Sequence, residues 1–358
     1  MKSWRRSVLV RLGSTAVVMG LLLSSLIEPA SGGRPEATSA QTYRLPDILG
    51  LEDANAYVPA DNPLTAKKVE LGRLLFFDKR LSKNNTVACA SCHLPDKGFA
   101  DGRAVSIGVD KLKGTRSAPI SVNRVYGQAQ FWDGRAATLE DQSIGPLVSP
   151  VEHGFLNHDE MVRKMRKIPG YRAMFQEVFG RDIVIEDVGR AIASFQRTIL
   201  SGNSPADRFD YGGDGTALSE EAKRGLELFR GKARCTRCHS NFNFSDEKFH
   251  NLGIGWDTNT VDLGRYMVTK NPEDIGAFKT PTLREIARTA PYMHDGRFKT
   301  LAEVVEFYNG GGIKNPFLDN TIIPLELTEQ EKGDLVAFLR SLNGEGWQQA
   351  KAPKTFPQ

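Results

Sequence analysis

The chain has 358 residues, is 40% hydrophobic and 25% charged, and carries a formal net charge of +4. That is longer than one typical domain and has ordinary core-forming composition, which excludes a disordered or low-complexity chain and points to two domains. Nucleic acid is not implied as a partner: Lys2, Arg5, Arg6, Arg11 and Glu28 lie in a removable leader, and losing them lowers the net charge by three, to +1.

Residues 1–32 have the form of a secretory signal. The basic residues come first, and the apolar stretch from Ser14 to Ile27 is too short to persist comfortably as a spanning helix. Ala30-Ser31-Gly32 is the first candidate cleavage site; Thr38-Ser39-Ala40 is the alternative, which extends the leader to residue 40. No later segment is apolar enough to span a membrane, so the mature chain is expected to be exported and free of the membrane.

After a polar leader to about Asn62, helical periodicity dominates and strand alternation is scarce, so the fold class is mostly α. Thr65 is a candidate cap for a helix with Val69, Leu74 and Leu75 that runs through Phe76 and Phe77 toward Cys89-Ala90-Ser91-Cys92-His93. The pattern C-x-x-C-H is the attachment signature of c-type haem: two thiols add to the porphyrin vinyl groups and the adjoining histidine becomes the proximal iron ligand. It recurs at Cys235-Thr236-Arg237-Cys238-His239, and the two copies use all four cysteines. A four-sulfur zinc site or a redox disulfide would leave the two histidines without a purpose.

Asp159 to Phe179 reads as helix interrupted at Pro169, and Ile185, Val188, Ile192, Phe195 and Ile199 form an amphipathic stripe that belongs to a core. Turn-rich Ser201-Gly202-Asn203-Ser204-Pro205 and Gly212-Gly213-Asp214-Gly215 place a domain boundary there. Ser219 then caps a helix with Leu226, Leu228 and Phe229 that again runs into a haem motif. Gly72-Arg73-Leu74-Leu75-Phe76 matches Gly225-Leu226-Glu227-Leu228-Phe229, and Phe99-Ala100-Asp101 echoes Phe244-Ser245-Asp246, so the chain contains a diverged internal duplication. Near the end, Thr328-Glu329-Gln330-Glu331 is a capping box for a helix with Leu335, Phe338, Leu339 and Leu342.

A second repeat aligns Asp133-Gly134-Arg135-Ala136-Ala137-Thr138-Leu139 with Asp295-Gly296-Arg297-Phe298-Lys299-Thr300-Leu301, five of seven positions being identical, and sets Trp132 against His294. Thr300-Leu301-Ala302-Glu303 opens a helix that ends at glycines 310–312, and Leu301, Val304, Val305 and Tyr308 share its inner face. On spacing alone Tyr308 is either core or a haem ligand. The same register sets Tyr308 against Pro146, whose side chain cannot ligate iron, so the first haem is expected to be open where the second is closed.

These features resemble the bacterial di-haem cytochrome c peroxidase family, and within it the MauG-type, methylamine-utilisation branch. Beside the two haem motifs, the resemblance rests on Phe131-Trp132-Asp133-Gly134-Arg135 with Leu139 and Gln142, on Pro150-Val151-Glu152, and on Phe249-His250-Asn251-Leu252-Gly253. Thr280-Pro281-Thr282-Leu283-Arg284 and Pro291-Tyr292-Met293-His294-Asp295-Gly296 complete it, and it spans nearly the whole mature chain.

The resemblance implies two cytochrome c-like domains with two covalent haem c groups: a peroxidatic one in residues 41–203 and an electron-transfer one in residues 204–345, followed by a tail, 346–358. His93 and His239 would bind the two irons, Tyr308 would be the distal ligand of the second, and Met293 and His294 are the fallback ligands. Gln142 and Glu152 take distal-pocket roles that sequence alone would have assigned to solvated surface, and Trp132 lies between the haems. An inter-haem calcium would use the carbonyls of Thr289 and Pro291, with Ser117 where the family usually has asparagine.

Many members hold a displaceable histidine over the first haem; the matching segment, about Gly108 to Lys113, has none, so no reductive activation is expected. His250 and His294 would lie near haem propionates or have a structural role, while His153 and His158 read as loop residues in solvent, with pocket tuning as the alternative for His153. The implied activity is periplasmic reduction of hydrogen peroxide to water, with electrons from a small c-type cytochrome or copper protein. The alternatives are a maturase whose ferryl haem oxidises side chains of a partner protein, and a di-haem electron carrier. A homodimer is the assembly the resemblance suggests.

Overall fold

A computed structural model describes residues 41–258 and 260–358, and the expected signal segment with both candidate cleavage sites lies outside them. The described chain is mostly helical. Its α-helices are α1 (Ala66–Phe77), α2 (Leu139–Ile144), α3 (His158–Met165), α4 (Pro169–Phe179), α5 (Ile185–Gln196), α6 (Pro205–Asp210), α7 (Glu220–Arg230), α8 (Tyr266–Thr269), α9 (Leu301–Asn309) and α10 (Glu329–Arg340). Strands are limited to two antiparallel ladders, β1 (Ser201–Gly202) with β4 (Glu345–Gly346), and β2 (Phe249–Asn251) with β3 (Ala277–Lys279). Among the described residues no helix is long and apolar enough to cross a membrane.

The expected caps are formed. Thr65, Ser219, Thr300 and Thr328 each accept a hydrogen bond from a backbone N–H in the first turn of the helix that follows, satisfying a donor that the helix cannot pair itself, and Thr138 does the same for α2 without having been expected to. Pro169 is the first residue of α4, where its missing N–H costs nothing, which is why the helical signal over 159–179 divides there.

Two main apolar cores follow the duplication. One gathers Leu71, Leu75 and Phe76 of α1 with Val188, Ile192 and Phe195 of α5; the other gathers Leu226 and Phe229 of α7 with Leu335, Phe338 and Leu339 of α10. Both crossings depend on an equivalent glycine. A Cβ on Gly72 would fall 1.8 Å from the Ala191 carbonyl oxygen, and one on Gly225 would fall 2.0 Å from that of Asp334. Gly225→Ala should therefore force α7 and α10 apart, lowering stability by about 1–3 kcal/mol through overpacking; a reduced denaturant midpoint with an unchanged slope would report it.

The leader and the tail are both packed. Leu45 and Ala54 of the polar leader, with Leu64 just beyond it, form a third apolar cluster with Val125, Tyr126 and Leu200. The segment 346–358 returns to the first core: Trp347 and Ala350 join it, the Arg80 guanidinium donates to the Pro357 carbonyl (2.8 Å), and the Gly170 N–H donates to that of Gln358 (2.7 Å).

Candidate functional site

Each C-x-x-C-H motif begins as a tight 3₁₀ turn, Cys89–Ser91 and Cys235–Arg237, the second shortly after α7 and the first separated from α1 by a further turn at Lys79–Leu81. The following loop then comes back over the histidine. Phe99 and Phe244 both take left-handed backbone conformations, φ +60° and +51°. Their carbonyls accept from Nδ1 of His93 at 3.1 Å and of His239 at 2.9 Å. Donation from Nδ1 assigns the tautomer and leaves Nε2 of each ring with its lone pair for a metal. Burial lowers both imidazole pKa values, which favours the neutral ligand form.

The two copies also differ. The Ser121 hydroxyl lies 3.1 Å from His93 Nδ1, whereas its repeat equivalent is Leu283, which has no such group. The motif pattern could not reveal this contact, because Ser121 is distant in sequence from the histidine.

Cys235, Cys238 and His239 line a cavity of about 220 Å³ with otherwise mostly apolar walls, including Leu252, Ile254, Val304, Val305 and Leu339. Tyr308, on the last turn of α9, faces the same cavity. Burial, and then the Cys238 and Cys235 thiols, raise its phenol pKa well above the ordinary value. Met293 and His294 also reach this cavity, but the His294 ring is stacked on Phe278 with centroids 3.6 Å apart. His250 lines it as well, held by Asp319 at 2.5 Å and Asp246 at 3.0 Å.

His93 lines a second, tighter cavity of about 40 Å³ with Trp132, Gln142, Gln196 and Arg124. Gln142 is half-buried and accepts from Gln196 (3.3 Å), so it is a lining residue rather than a solvated one. Pro146 is not among the residues lining this cavity. Glu152 is also half-buried, but its neighbours are different: it lies within electrostatic reach of Cys89 and Cys92, and its backbone carbonyl accepts from Val109 (3.0 Å). The histidine-free segment thus packs directly on Glu152, and Gly108 permits it, since a Cβ there would fall 1.8 Å from the Val151 carbonyl oxygen. Burial raises the Glu152 pKa above the usual carboxylate range against the opposing pull of Arg135. Gln142 thus lines the His93 cavity, whereas Glu152 is not among its lining residues and lies beside the thiols of the same motif.

The cavities share a wall. Pro119, Ile120, Trp132, Lys279, Pro281 and Thr282 line both. Pro119 and Pro281 occupy equivalent positions in the repeat, so the wall is itself built from the duplication. Trp132 is anchored by donation from Nε1 to the Ser117 carbonyl (2.8 Å).

The donor chemistry fits two covalently held haems: each thiol pair adjoins its own histidine, and only Cys235 and Cys238 line the larger cavity, so the four sulfurs are not gathered as tetrahedral zinc would require. For calcium the fit is partial. Ser117, Thr289 and Pro291 all line the larger cavity, but three oxygens fall short of a six- to eight-coordinate site. Asp101 carries a buried carboxylate oxygen without a partner, but it is not among the residues lining this cavity. His153 corrects its expected solvent exposure: it is 3% exposed, donates to the Leu81 carbonyl (2.8 Å), and burial lowers its pKa to about 4. His158 is half-buried, with Nε2 3.1 Å from the Ile144 carbonyl.

Comparison with known proteins gives a consistent picture. Residues 66–216 match the family described as di-haem cytochrome c peroxidase. The methylamine utilization protein MauG of Methylorubrum extorquens is 41% identical over 84% of this chain and 83% of its own length. The cytochrome-c peroxidase IdrP1 of Denitromonas iodatirespirans is 42% identical over 80% of this chain and 84% of its own. A solved MauG-like protein associated with microbial copper homeostasis superposes with a TM-score of 0.73 at 36% identity, covering 81% of this chain and 93% of that one.

Proposed function

The chain belongs to the di-haem cytochrome c peroxidase family, oxidoreductases that act on peroxide and carry two haem c groups, and from that premise we propose an exported, periplasmic peroxidase with an open site at His93 and an electron-holding site at His239. The observation that carries this division is an asymmetry between equivalent positions: Tyr308 faces the His239 cavity, while Pro146 does not line the His93 cavity. We place the domain boundary at 203/204, with the peroxidatic unit over 41–203 and the electron-transfer unit over 204–345.

When bound, the haem groups supply the redox chemistry that cleaves the peroxide O–O bond. Glu152 takes the proton from the inner peroxide oxygen and returns it to the outer one, so that water leaves. Its raised pKa suits both halves of that transfer. Gln142, steadied by Gln196, orients the peroxide through its carboxamide. His93 holds its ligating nitrogen in place through Phe99 and Ser121. Tyr308 would help to hold the iron of the His239 haem, and a phenolate there would favour the ferric and higher oxidation states. Trp132, on the shared wall, would be the residue through which oxidising equivalents pass between the sites. Calcium would use Ser117, Thr289 and Pro291 of the larger cavity together with further oxygens.

The physiological reductant in this reading is a small c-type cytochrome or copper protein. A second reading, oxidation of side chains in a partner protein, is favoured by tyrosine at position 308, whose phenolate would support the higher oxidation states that such a reaction needs. Steady-state assays separate them. Sustained oxidation of a reduced c-type cytochrome by hydrogen peroxide is expected for the peroxidase. Failure of that turnover, together with a peroxide-dependent mass change in a co-purifying protein, would favour the second. Two low-spin haems indifferent to peroxide would return the chain to plain electron carriage.

A further inference from the structure

The wall between the two cavities contains a charge that the proposed reaction does not use. Lys279 is 7% exposed and lines both cavities. It sits on β3, and its backbone N–H donates to the Trp132 carbonyl at 2.8 Å, so its place is tied to that of the bridging tryptophan. Its ammonium donates to the Thr280 carbonyl (3.2 Å) and lies 3.6 Å from Glu247.

Glu247 is already engaged. It accepts from the Arg124 guanidinium at 2.9 and 3.1 Å and from the Gln128 N–H at 3.3 Å. Arg124 and Glu247 are each 8% exposed. Asp246, the next carboxylate acting on Lys279, is held by His250 at 3.0 Å. Lys279 and Arg124, two buried cations, thus share Glu247, and Arg124 holds the shorter contacts to it. Burial, then repulsion by Arg124, depresses the Lys279 pKa to about 8. An isolated buried charge is expensive unless an anion meets it. The two cavities that Lys279 faces are the ones assigned here to haem, whose only anionic side groups are propionates.

We propose that Lys279 is the counter-charge for a haem propionate at the wall between the two sites, and that this contact raises the reduction potential of the haem that carries the propionate. The proposal rests on the reading that both cavities hold haem. The physical basis is Coulombic: a cation near the iron disfavours the ferric state, which has one positive charge more than the ferrous state. Its repeat equivalent is Ser117, which has no charge, so the effect is built into one half of the duplication only.

The test uses the di-haem holoprotein and follows each haem by spectroelectrochemical titration. Haem content is measured first, so that loss of a haem, which would undermine the underlying reading, is separated from loss of the charge. Lys279→Met should lower the midpoint of one haem so that its oxidised-to-reduced ratio at fixed potential rises about tenfold, or 59 mV for one electron. Lys279→Arg should stay at the wild-type value. Glu247→Gln removes the opposing anion without touching the lysine and should shift the same haem upward, which keeps the proposal testable if the methionine variant does not fold. Shifts of opposite sign in the two neutralising variants are not expected from a merely structural role. Wild-type midpoints for both haems in Lys279→Met or in Glu247→Gln, with two haems retained, would overturn the proposal, as would equal shifts in Lys279→Met and Lys279→Arg.

Discussion

Glu152→Gln is expected to slow the reaction with hydrogen peroxide by about 10²- to 10⁴-fold while leaving the resting spectra of both haems unchanged. The amide keeps the size of the side chain and its contact with the Gly108 segment, so the packing of Glu152 against Val109 should survive. What it loses is the ability to take up and release a proton. The carboxyl must be deprotonated to act first as a base, and burial raises its pKa. The wild-type rate should therefore fall as pH drops through that raised pKa, above the range in which an exposed glutamate titrates, and the glutamine variant should lack this limb. Stopped-flow mixing with peroxide across pH measures both effects. A glutamine variant that reacted at the wild-type rate would remove Glu152 from the mechanism.

Tyr308→Phe is expected to change one haem of the two. The phenol faces the cavity shared with Cys235, Cys238 and His239, and phenylalanine preserves the packing of α9 while removing the oxygen. The His239 haem should convert from low to high spin in electron paramagnetic resonance, and its reduction potential should rise because the ligand that favours the ferric state is gone. Tyr308→Met should restore a six-coordinate haem at a higher potential, since a thioether favours the reduced iron. Unchanged spectra in Tyr308→Phe would exclude the tyrosine as a ligand and direct attention to Met293 or His294, which share the cavity.

The parts of the site that were legible in the sequence are those with short-range causes. The caps at Thr65, Ser219, Thr300 and Thr328 depend on residues three positions apart, and so does the C-x-x-C-H turn. The repeat registers were legible for a related reason, because the duplicated segments preserve a backbone geometry that few sequences satisfy. Phe99 and Phe244 share a positive φ, as do Phe131 and Met293, and Gly72 and Gly225 share a close helix approach. The roles of Gln142 and Glu152 came only from family resemblance, since periodicity places polar residues at the surface by default.

The sequence by itself determined that this chain carries two haem-attachment motifs in a mostly helical duplication, and that tyrosine in one half stands against proline in the other. Only the tertiary structure decided what the two halves share and where they diverge. Trp132 and Lys279 lie 147 positions apart yet meet through a single backbone hydrogen bond on the wall of both cavities. Ser121 reaches His93, Gln196 reaches Gln142, and the C-terminal segment closes the first core. Such contacts follow from how helices cross and loops return, and local propensity and spacing carry no information about pairs that only the packed chain brings within hydrogen-bonding distance.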